Sequence, residues 1–229
     1  MTTQPQTSQT ENPHKPGITE NTPEAWDKIW KDEDGIFSWR TYPRTAKSIL
    51  AIINENAKRT VTPLRGQLRI LELGCGVGIL SSRIKRAGHR ITGIDISAYA
   101  IEEMKTVFNI EGIVAKVPPI PFPDAQFDWV IAAQFLEHLS EPEADLLAKE
   151  AARVAPKAIF CVPDDALPKS ECKFHEIAYT EDSLTALLGK HYPYVYIAKY
   201  RDVFAVGAGD KTGIIDLPIL LAICSNEEI

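Results

Sequence analysis

The stretch that decides the fold reads Leu68-Arg69-Ile70-Leu71-Glu72-Leu73-Gly74-Cys75-Gly76-Val77-Gly78. Its apolar first half has the length and composition of a buried strand. The glycines of its second half allow a tight turn and a close approach of backbone to a ligand, and the following helix points its N-terminus at that ligand. The stretch therefore predicts a strand, a ligand-binding turn and a helix.

Strand-like and helix-like segments alternate after this turn. Following the first strand, 68–73, the patterns predict further strands over 90–95, 112–117, 127–133, 157–162, 194–200 and 217–225. They predict helices over 77–87, 98–107, 141–154 and 181–188. Repeated β–α units imply a mostly parallel sheet covered on both faces, and the last two strands add an antiparallel pair. The predicted fold class is α/β, with a doubly wound, seven-stranded, mostly parallel sheet.

The last two strands are separated by residues 201–216, which lack a helical pattern and contain Gly207, Gly209 and Gly213. We predict a long loop there. Long loops between terminal strands commonly carry function, so this loop is expected to border the substrate pocket.

Three regions follow from composition. Residues 1–23 are rich in Thr, Gln, Pro, Asn and Glu, so they bury too little apolar surface to offset the entropy of ordering, and we predict a disordered tail. Residues 24–62 are predicted to form an N-terminal helical cap. Residues 63–229 are predicted to form the main domain.

The predicted cap begins at Thr22-Pro23-Glu24, a typical helix start with Thr22 as N-cap. A second helix is predicted from about Arg44 to Lys58. Aromatic residues cluster in this region, and they form either a lid over the ligand or ordinary core: Trp26, Trp30, Trp39 and Tyr42.

The bulk composition fits a globular protein in a reducing compartment. The net charge of −6 argues against a surface built for a long phosphate backbone, so we do not expect a nucleic-acid partner. The four cysteines show no paired spacing, and no run of residues is apolar for long enough to cross a membrane. We predict a cytoplasmic monomer or homodimer without membrane contact.

Two acidic residues restrict the class of ligand that the turn is expected to bind. A dinucleotide-binding turn requires glycine where this chain has Ile79, and Glu72 would repel a pyrophosphate but suits an ammonium group. Asp95 ends the second strand, where a carboxylate can accept hydrogen bonds from both hydroxyls of a ribose. The neighbouring Ile96 would then lie against an adenine ring.

These residues resemble a known family. Glu72–Gly78 and Gly93-Ile94-Asp95-Ile96-Ser97 are similar to motifs I and II of class I S-adenosylmethionine-dependent methyltransferases. The stretches 119–128 and 133–139 resemble the "LPFPDxSFD" and "LEHL" segments of its small-molecule branch. The resemblance implies a Rossmann-like methyltransferase fold with S-adenosylmethionine as methyl donor. It implies these cofactor-binding residues: Glu72, Gly74, Cys75, Gly76, Gly78, Asp95, Ile96, Val117, Gln134 and Arg44.

The resemblance is weakest at two of these positions. The family tends to hold the adenine amino group with an acid after the third strand, where this chain has Ala115-Lys116-Val117-Pro118 and no carboxylate. Either the backbone at Val117 replaces that acid or the adenine is held more loosely. Arg44 matches an arginine that grips the cofactor carboxylate in some relatives, but it fits a surface charge equally well.

The acceptor side offers two histidines as candidate catalytic residues. His138 follows the fourth strand beside the expected methyl group, and His175 lies in the segment after the fifth strand. Imidazole titrates near neutrality and suits a general base. The alternative is structural, with His138 in a turn cap and His175 packed within its loop.

One set of four residues resembles a known metal-binding site. Gln134, Glu137, His138 and His175 resemble the metal-binding set of small-RNA 2′-O-methyltransferases, but Gln134 stands where that set has an acid, and an amide is a weaker ligand for a hard cation. We therefore expect no metal. The predicted function is methyl transfer to oxygen or nitrogen of a small-molecule acceptor. RNA 2′-O-methylation and a non-catalytic, S-adenosylmethionine-binding partner subunit stay open as alternatives.

Overall fold

The computed structural model describes residues 21–31, 43–59, 67–164, 175–208 and 211–228, and the side chains of 203–216 are not part of that description. Most of the predicted tail, together with Trp39 and Tyr42 of the predicted lid, lies outside the described residues. Within them, no helix is both long enough and apolar enough to span a membrane.

Six α-helices occur in the described part of the chain. They are α1 (Pro23–Lys31), α2 (Pro43–Arg59), α3 (Ile79–Arg86), α4 (Ala98–Phe108), α5 (Glu141–Val154) and α6 (Glu181–Leu188). The strands are β1 (Arg69–Leu73), β2 (Arg90–Asp95), β3 (Gly112–Val114), β4 (Trp129–Ala133), β5 (Lys157–Pro163), β6 (Tyr194–Ala208) and β7 (Lys211–Ser225). A short 3-10 turn, Leu136–His138, follows β4.

The seven strands form one sheet in the order β3-β2-β1-β4-β5-β7-β6. The pairs from β3 to β5 are parallel, whereas β7 is antiparallel to both β5 and β6. The strand order reverses between β1 and β4, so the glycine turn after β1 lies at the position where open α/β sheets bind ligands. The predicted doubly wound, seven-stranded sheet is confirmed.

Alternate residues of β4 separate the two faces of the core. Trp129 and Ile131 pack with Ile49 and Ile53 of α2 on one face. Val130 and Ala132 belong to the cluster on the other face, which includes residues of α5 and α6. This two-residue period is that of a strand covered on both sides, and it explains why β4 is apolar at every position.

Two strand boundaries differ from the prediction. β3 ends at Val114 rather than at 117. Residues 118–121 include three prolines, which cannot donate ladder hydrogen bonds. The predicted 201–216 loop is wrong, because β6 and β7 pair continuously out to Ala208 opposite Lys211. Gly207 and Gly213 therefore lie in a long antiparallel hairpin rather than in a loop.

The cap helices are joined to the domain by carboxylates. Asp202 of β6 is fully buried and accepts hydrogen bonds from the Thr45 N–H and hydroxyl, both at 2.8 Å, so it caps the start of α2. Asp27 of α1 accepts a 2.5 Å hydrogen bond from the Ser97 hydroxyl and a 3.1 Å bond from the Tyr99 N–H at the start of α4. Both predicted cap helices are confirmed, and α1 is held directly above the β2 turn.

Candidate cofactor and acceptor site

The glycine turn is shaped by backbone that other residues adopt rarely. Gly74 and Gly76 have φ values of 64° and 51°. A Cβ on Gly74 would lie 2.4 Å from the Phe135 ring, and one on Gly76 would lie 2.4 Å from the Trp30 ring. Gly78, with φ of 81°, is the N-cap of α3. The turn therefore requires glycine both for its conformation and for the side chains packed on it.

The Asp95 carboxylate lies at the end of β2, next to this turn. One oxygen accepts a 2.8 Å hydrogen bond from the Gly76 N–H, and the other accepts a 2.9 Å bond from the Ser97 N–H. Asp95 is buried, and burial raises its pKa to about 6. Each oxygen keeps a lone pair that can accept a further hydrogen bond from a ligand.

Glu72 is the second buried carboxylate of the turn. It accepts a hydrogen bond from the Ser81 hydroxyl of α3, and burial raises its pKa to about 8. A buried acid with a raised pKa gains stability when a cation approaches it. Its position fits the predicted contact with an ammonium group.

The turn opens into a cleft with two pockets. The first spans about 610 Å³, part of it open to solvent, and includes Gly74, Asp95, Ile96, Val117 and Gln134 in its lining. The second spans about 510 Å³, also partly open to solvent, and is lined by Glu72 and Cys75, among others. Both pockets are lined by Trp30 and Gln134, so they adjoin. Most of the cofactor residues implied by the resemblance are thus brought together.

The tryptophans of α1 form one wall of the cleft. Trp26 and Trp30 both line the first pocket, and the Trp26 ring lies 5.1 Å from the His138 ring, edge to face. Trp30 is 2% exposed and packs against Gly76. Of the two possibilities considered from the sequence, lid and core, Trp30 combines both, since it is buried and also faces the cleft.

The adenine end lacks the acid, as the sequence indicates. Lys116 lines the first pocket at that position, but its ammonium group pairs with Glu143 of α5 at 3.1 Å. Val117 is buried and faces the pocket. The surroundings of Ile96 and Val117 are therefore apolar, which suits the faces of a flat aromatic ring.

Two arginines, Arg44 and Arg83, have different positions relative to the cleft. The Arg44 guanidinium donates a 3.1 Å hydrogen bond to the Arg201 carbonyl on β6, and Arg44 does not line either pocket of the cleft. Arg83 of α3 lines the second pocket together with Glu72 and Thr45. The sequence analysis missed Arg83, although it lies four residues after Ile79 and so on the same face of a helix that begins at the glycine turn.

The two predicted histidines meet at the acceptor side. His138 lines the first pocket, and its ring lies 5.1 Å from the ring of His175. Glu137, between β4 and this pair, is buried, and burial raises its pKa to about 8. Gln134, at the end of β4, has a φ of 55° and donates its N–H to the Cys161 carbonyl at 2.7 Å.

Comparisons with known proteins agree with this geometry. Residues 70–157 match the family profile described as "Methyltransferase domain". A ubiquinone biosynthesis O-methyltransferase of Paracidovorax citrulli is 31% identical over 93 residues, covering 36% of this chain and 37% of that protein. The O-methyltransferase rstn1 of Aspergillus nomiae is 29% identical over 146 residues, covering 56% of this chain and 64% of that protein. The chain thus spans between about a third and two thirds of these relatives' own length.

Solved structures share the fold at low identity. The N-methyltransferase NodS of Bradyrhizobium japonicum, in complex with S-adenosylhomocysteine, superposes with a TM-score of 0.63 at 20% identity, covering 91% of this chain and 100% of that chain. The magnesium protoporphyrin IX methyltransferase of Synechocystis, with bound S-adenosylhomocysteine, gives a TM-score of 0.63 at 19% identity, covering 87% and 92%.

A doubly wound sheet with a glycine turn and two buried carboxylates at its switch point defines a protein that binds a nucleoside-type cofactor. The matched family profile and the relatives specify that class further. Residues 70–157 form a methyltransferase domain, and the chain has the fold of the S-adenosylmethionine-dependent methyltransferases.

Proposed function

We propose that this protein transfers the methyl group of S-adenosylmethionine to an oxygen of a small-molecule acceptor. The observation that carries the proposal is that two buried carboxylates, Glu72 and Asp95, face one cleft on either side of the glycine turn. They suit a ligand with an ammonium group at one end and a ribose at the other. The matched O-methyltransferases favour oxygen as the acceptor atom.

Four residues bind different parts of the cofactor. Asp95 accepts hydrogen bonds from the ribose hydroxyls, and Ile96 packs on the adenine ring. Glu72 pairs with the ammonium group, and Arg83 pairs with the carboxylate at the same end. When bound, S-adenosylmethionine supplies a methyl group on a sulfonium, which passes to the acceptor oxygen as the carbon–sulfur bond breaks and leaves S-adenosylhomocysteine.

The protein must also accept the proton that the acceptor hydroxyl loses. An acceptor hydroxyl that enters from the side of Trp26 meets His138 first, because both residues line the first pocket. A neutral imidazole there accepts the hydroxyl proton as the new bond forms. His175, in ring contact with His138, is the second candidate for that role.

The first pocket and the described cysteines support proposals about the acceptor and the compartment. The first pocket is a cleft lined by side chains such as Trp26 and Phe135, which suits a small acceptor rather than a duplex. The described cysteines, Cys75, Cys161 and Cys224, are buried free thiols, which suits a cytoplasmic enzyme. We propose that it acts as a monomer or homodimer.

The test uses S-adenosylmethionine with a labelled methyl group. The protein is incubated with a panel of phenols and catechols, a panel of amines, and total RNA, and label in each product is counted. Label in hydroxylated small molecules supports the proposal, and its loss in the Asp95→Ala variant ties transfer to the cleft.

Each rival class gives a distinct outcome. Label confined to amines overturns oxygen as the acceptor atom, and label confined to RNA overturns the small-molecule proposal. Cofactor binding without transfer to any panel overturns the proposed activity of this chain in favour of a non-catalytic partner subunit. Wild-type protein and variants are compared by circular dichroism, so that loss of label is read only from folded protein.

A further inference from the structure

We propose that Tyr200 is a positioning residue of the cleft, because its hydroxyl fixes the start of α2 at the wall of the second pocket. The Tyr200 hydroxyl donates a 2.7 Å hydrogen bond to the Thr45 Oγ1, and Thr45 lines the second pocket. Tyr200 itself lies on β6, outside the set of described residues that line the two pockets. It therefore acts on a ligand through Thr45 and not by contact.

Tyr200 belongs to a chain of hydrogen bonds that runs in one direction. The Thr45 hydroxyl donates to the Asp202 carboxylate at 2.8 Å, so its oxygen is left to accept the bond from Tyr200. The Cys161 Sγ lies 3.8 Å from the Tyr200 oxygen, and the thiol is the donor there because the Tyr200 proton points to Thr45. Burial raises the pKa of Cys161 to about 12, so the thiol keeps this proton at neutral pH.

The other end of the chain lies at the end of β4. The Gln134 amide nitrogen is 3.8 Å from the Cys161 Sγ and 3.5 Å from the Cys161 carbonyl oxygen. Gln134 lines both pockets, and its φ of 55° is one that residues other than glycine rarely adopt. Backbone of this kind persists only where its surroundings hold it. The chain thus connects Gln134 on β4 with Thr45 on α2, and both residues line the second pocket.

The apolar contacts of α2 lie further along the helix than this pocket. Ile49 and Ile53 pack in the core, whereas Thr45 and Ala46 line the second pocket. Apolar packing is non-directional, so the hydrogen bonds to Thr45 fix the orientation of the first turn. Buried hydrogen bonds in a chain also polarise one another, so the loss of one weakens its neighbours. Loss of the Tyr200 hydroxyl is therefore expected to loosen the pocket wall while the core still holds the helix.

This inference rests on the proposed function, in which the second pocket holds the amino-acid end of the cofactor beside Glu72 and Arg83. A wall that is ordered before the ligand arrives reduces the cost of binding. The Tyr200 hydroxyl is therefore expected to raise the affinity for the cofactor without touching it.

The test compares the wild type with Tyr200→Phe, which removes only the hydroxyl, by calorimetric titration with S-adenosylhomocysteine at pH 7.5. We expect the variant to bind about 3- to 10-fold more weakly, as for the loss of one hydrogen bond. Tyr196→Phe, at an exposed site on the same strand, is the matched control and keeps the affinity. Equal affinity in Tyr200→Phe and the wild type overturns the inference, even if urea denaturation shows a less stable variant. A hydroxyl with a structural role alone would change the free energy of unfolding but not the affinity of the folded protein.

A double-mutant cycle tests whether the hydroxyl acts through Thr45. Thr45→Val keeps the shape of the side chain and loses its hydroxyl, so Tyr200→Phe in that background is expected to change the affinity less than about twofold. The same fold-change in both backgrounds overturns the positioning role. Thr45→Ser keeps the hydroxyl and should bind as the wild type does, and a loss equal to that of Thr45→Val would also overturn it.

Two controls keep the outcomes separate. Circular dichroism verifies folding, and Thr45→Ala replaces Thr45→Val if that variant does not fold. Failure of the folded wild type to bind S-adenosylhomocysteine overturns the cofactor assignment and this inference with it. Equal binding by the wild type and all the variants overturns this inference alone.

Discussion

The Gly76 backbone N–H donates a 2.8 Å hydrogen bond to the Asp95 carboxylate. This bond joins the turn after β1 to the end of β2, so the residue proposed to bind the ribose also orders the glycine turn. Because the Ser97 N–H holds the second oxygen at 2.9 Å, the carboxylate is fixed before any ligand arrives. Such pre-organisation reduces the cost of binding.

Cofactor affinity is expected to depend on the ionisation of Asp95. Burial raises the pKa of this acid to about 6, and the ionised form is the stronger acceptor for ribose hydroxyls. Affinity for S-adenosylhomocysteine therefore falls more steeply below pH 6 than above it, by up to about a further tenfold per pH unit. Calorimetry between pH 5 and 8 measures this, with calorimetry buffers chosen to hold ionic strength fixed.

Asp95→Asn should bind more weakly and lose the steeper fall below pH 6. Asp128→Asn serves as the matched control, since Asp128 pairs with Arg69 at the opposite end of β1 and should leave the wild-type profile unchanged. A wild-type profile that does not steepen below pH 6, or an identical profile in Asp95→Asn, contradicts the assignment.

Binding should release a proton from Glu72. Burial raises the pKa of its carboxyl to about 8, so at pH 7 the free protein holds it mostly protonated. An ammonium group beside it favours the ionised form, so binding at pH 7 releases most of one proton. Calorimetry in buffers with different ionisation enthalpies counts this proton. Glu72→Gln, which has the same shape and no proton to lose, should bind without release, and equal release from both proteins would disprove the role.

The two arginines make a matched pair. Arg83 lines the second pocket, whereas the Arg44 guanidinium contacts the Arg201 carbonyl. Because a guanidinium–carboxylate pair contributes about 1.5–3 kcal/mol when partly buried, Arg83→Ala should weaken S-adenosylhomocysteine binding about 10- to 100-fold. Arg44→Ala should change it less than about threefold. Calorimetry on both variants decides, and the reverse ranking would restore the sequence-based assignment of Arg44.

Asp202 is expected to matter for stability. It is fully buried and accepts hydrogen bonds from the N–H and hydroxyl of Thr45, so its removal leaves buried donors without a partner. Asp202→Ala should lower the free energy of unfolding by about 2–4 kcal/mol. Urea denaturation followed by circular dichroism measures the loss. Asp182→Ala, an exposed site in the first turn of α6, is the control, and a similar small loss in both variants would argue against the cap.

Much of the fold was predictable because its signals are local. The apolar runs before Gly74 and through β4 depend on neighbours in sequence, and so does the N-cap role of Ser97, whose hydroxyl accepts from the Ala100 N–H at 3.0 Å. The long hairpin was missed for a different reason. Its outer part, over the predicted 201–216 loop, is specified by pairing across the hairpin, such as Val203 opposite Asp216, and not by a pattern along one strand.

Some residues of the site were likewise predictable from local sequence, and others were not. Glu72 and Asp95 lie at the ends of β1 and β2, and they were predicted from that position, their acidic side chains and the resemblance to motifs I and II. Arg83 required knowing which face of α3 meets the turn, and the contact between His138 and His175 required the fold to bring two distant segments together. The Arg44 guanidinium contacts a carbonyl on β6, and no local sequence pattern indicates this partner.

The central claim is that the cleft beside the glycine turn binds S-adenosylmethionine. Isothermal titration of the wild type and Asp95→Ala with S-adenosylhomocysteine at pH 7.5, with folding verified by circular dichroism, tests it most directly. The account predicts saturable binding of one ligand per chain, weakened about 10- to 100-fold in the variant. No saturable binding to folded wild type, or equal affinity in both proteins, would contradict it.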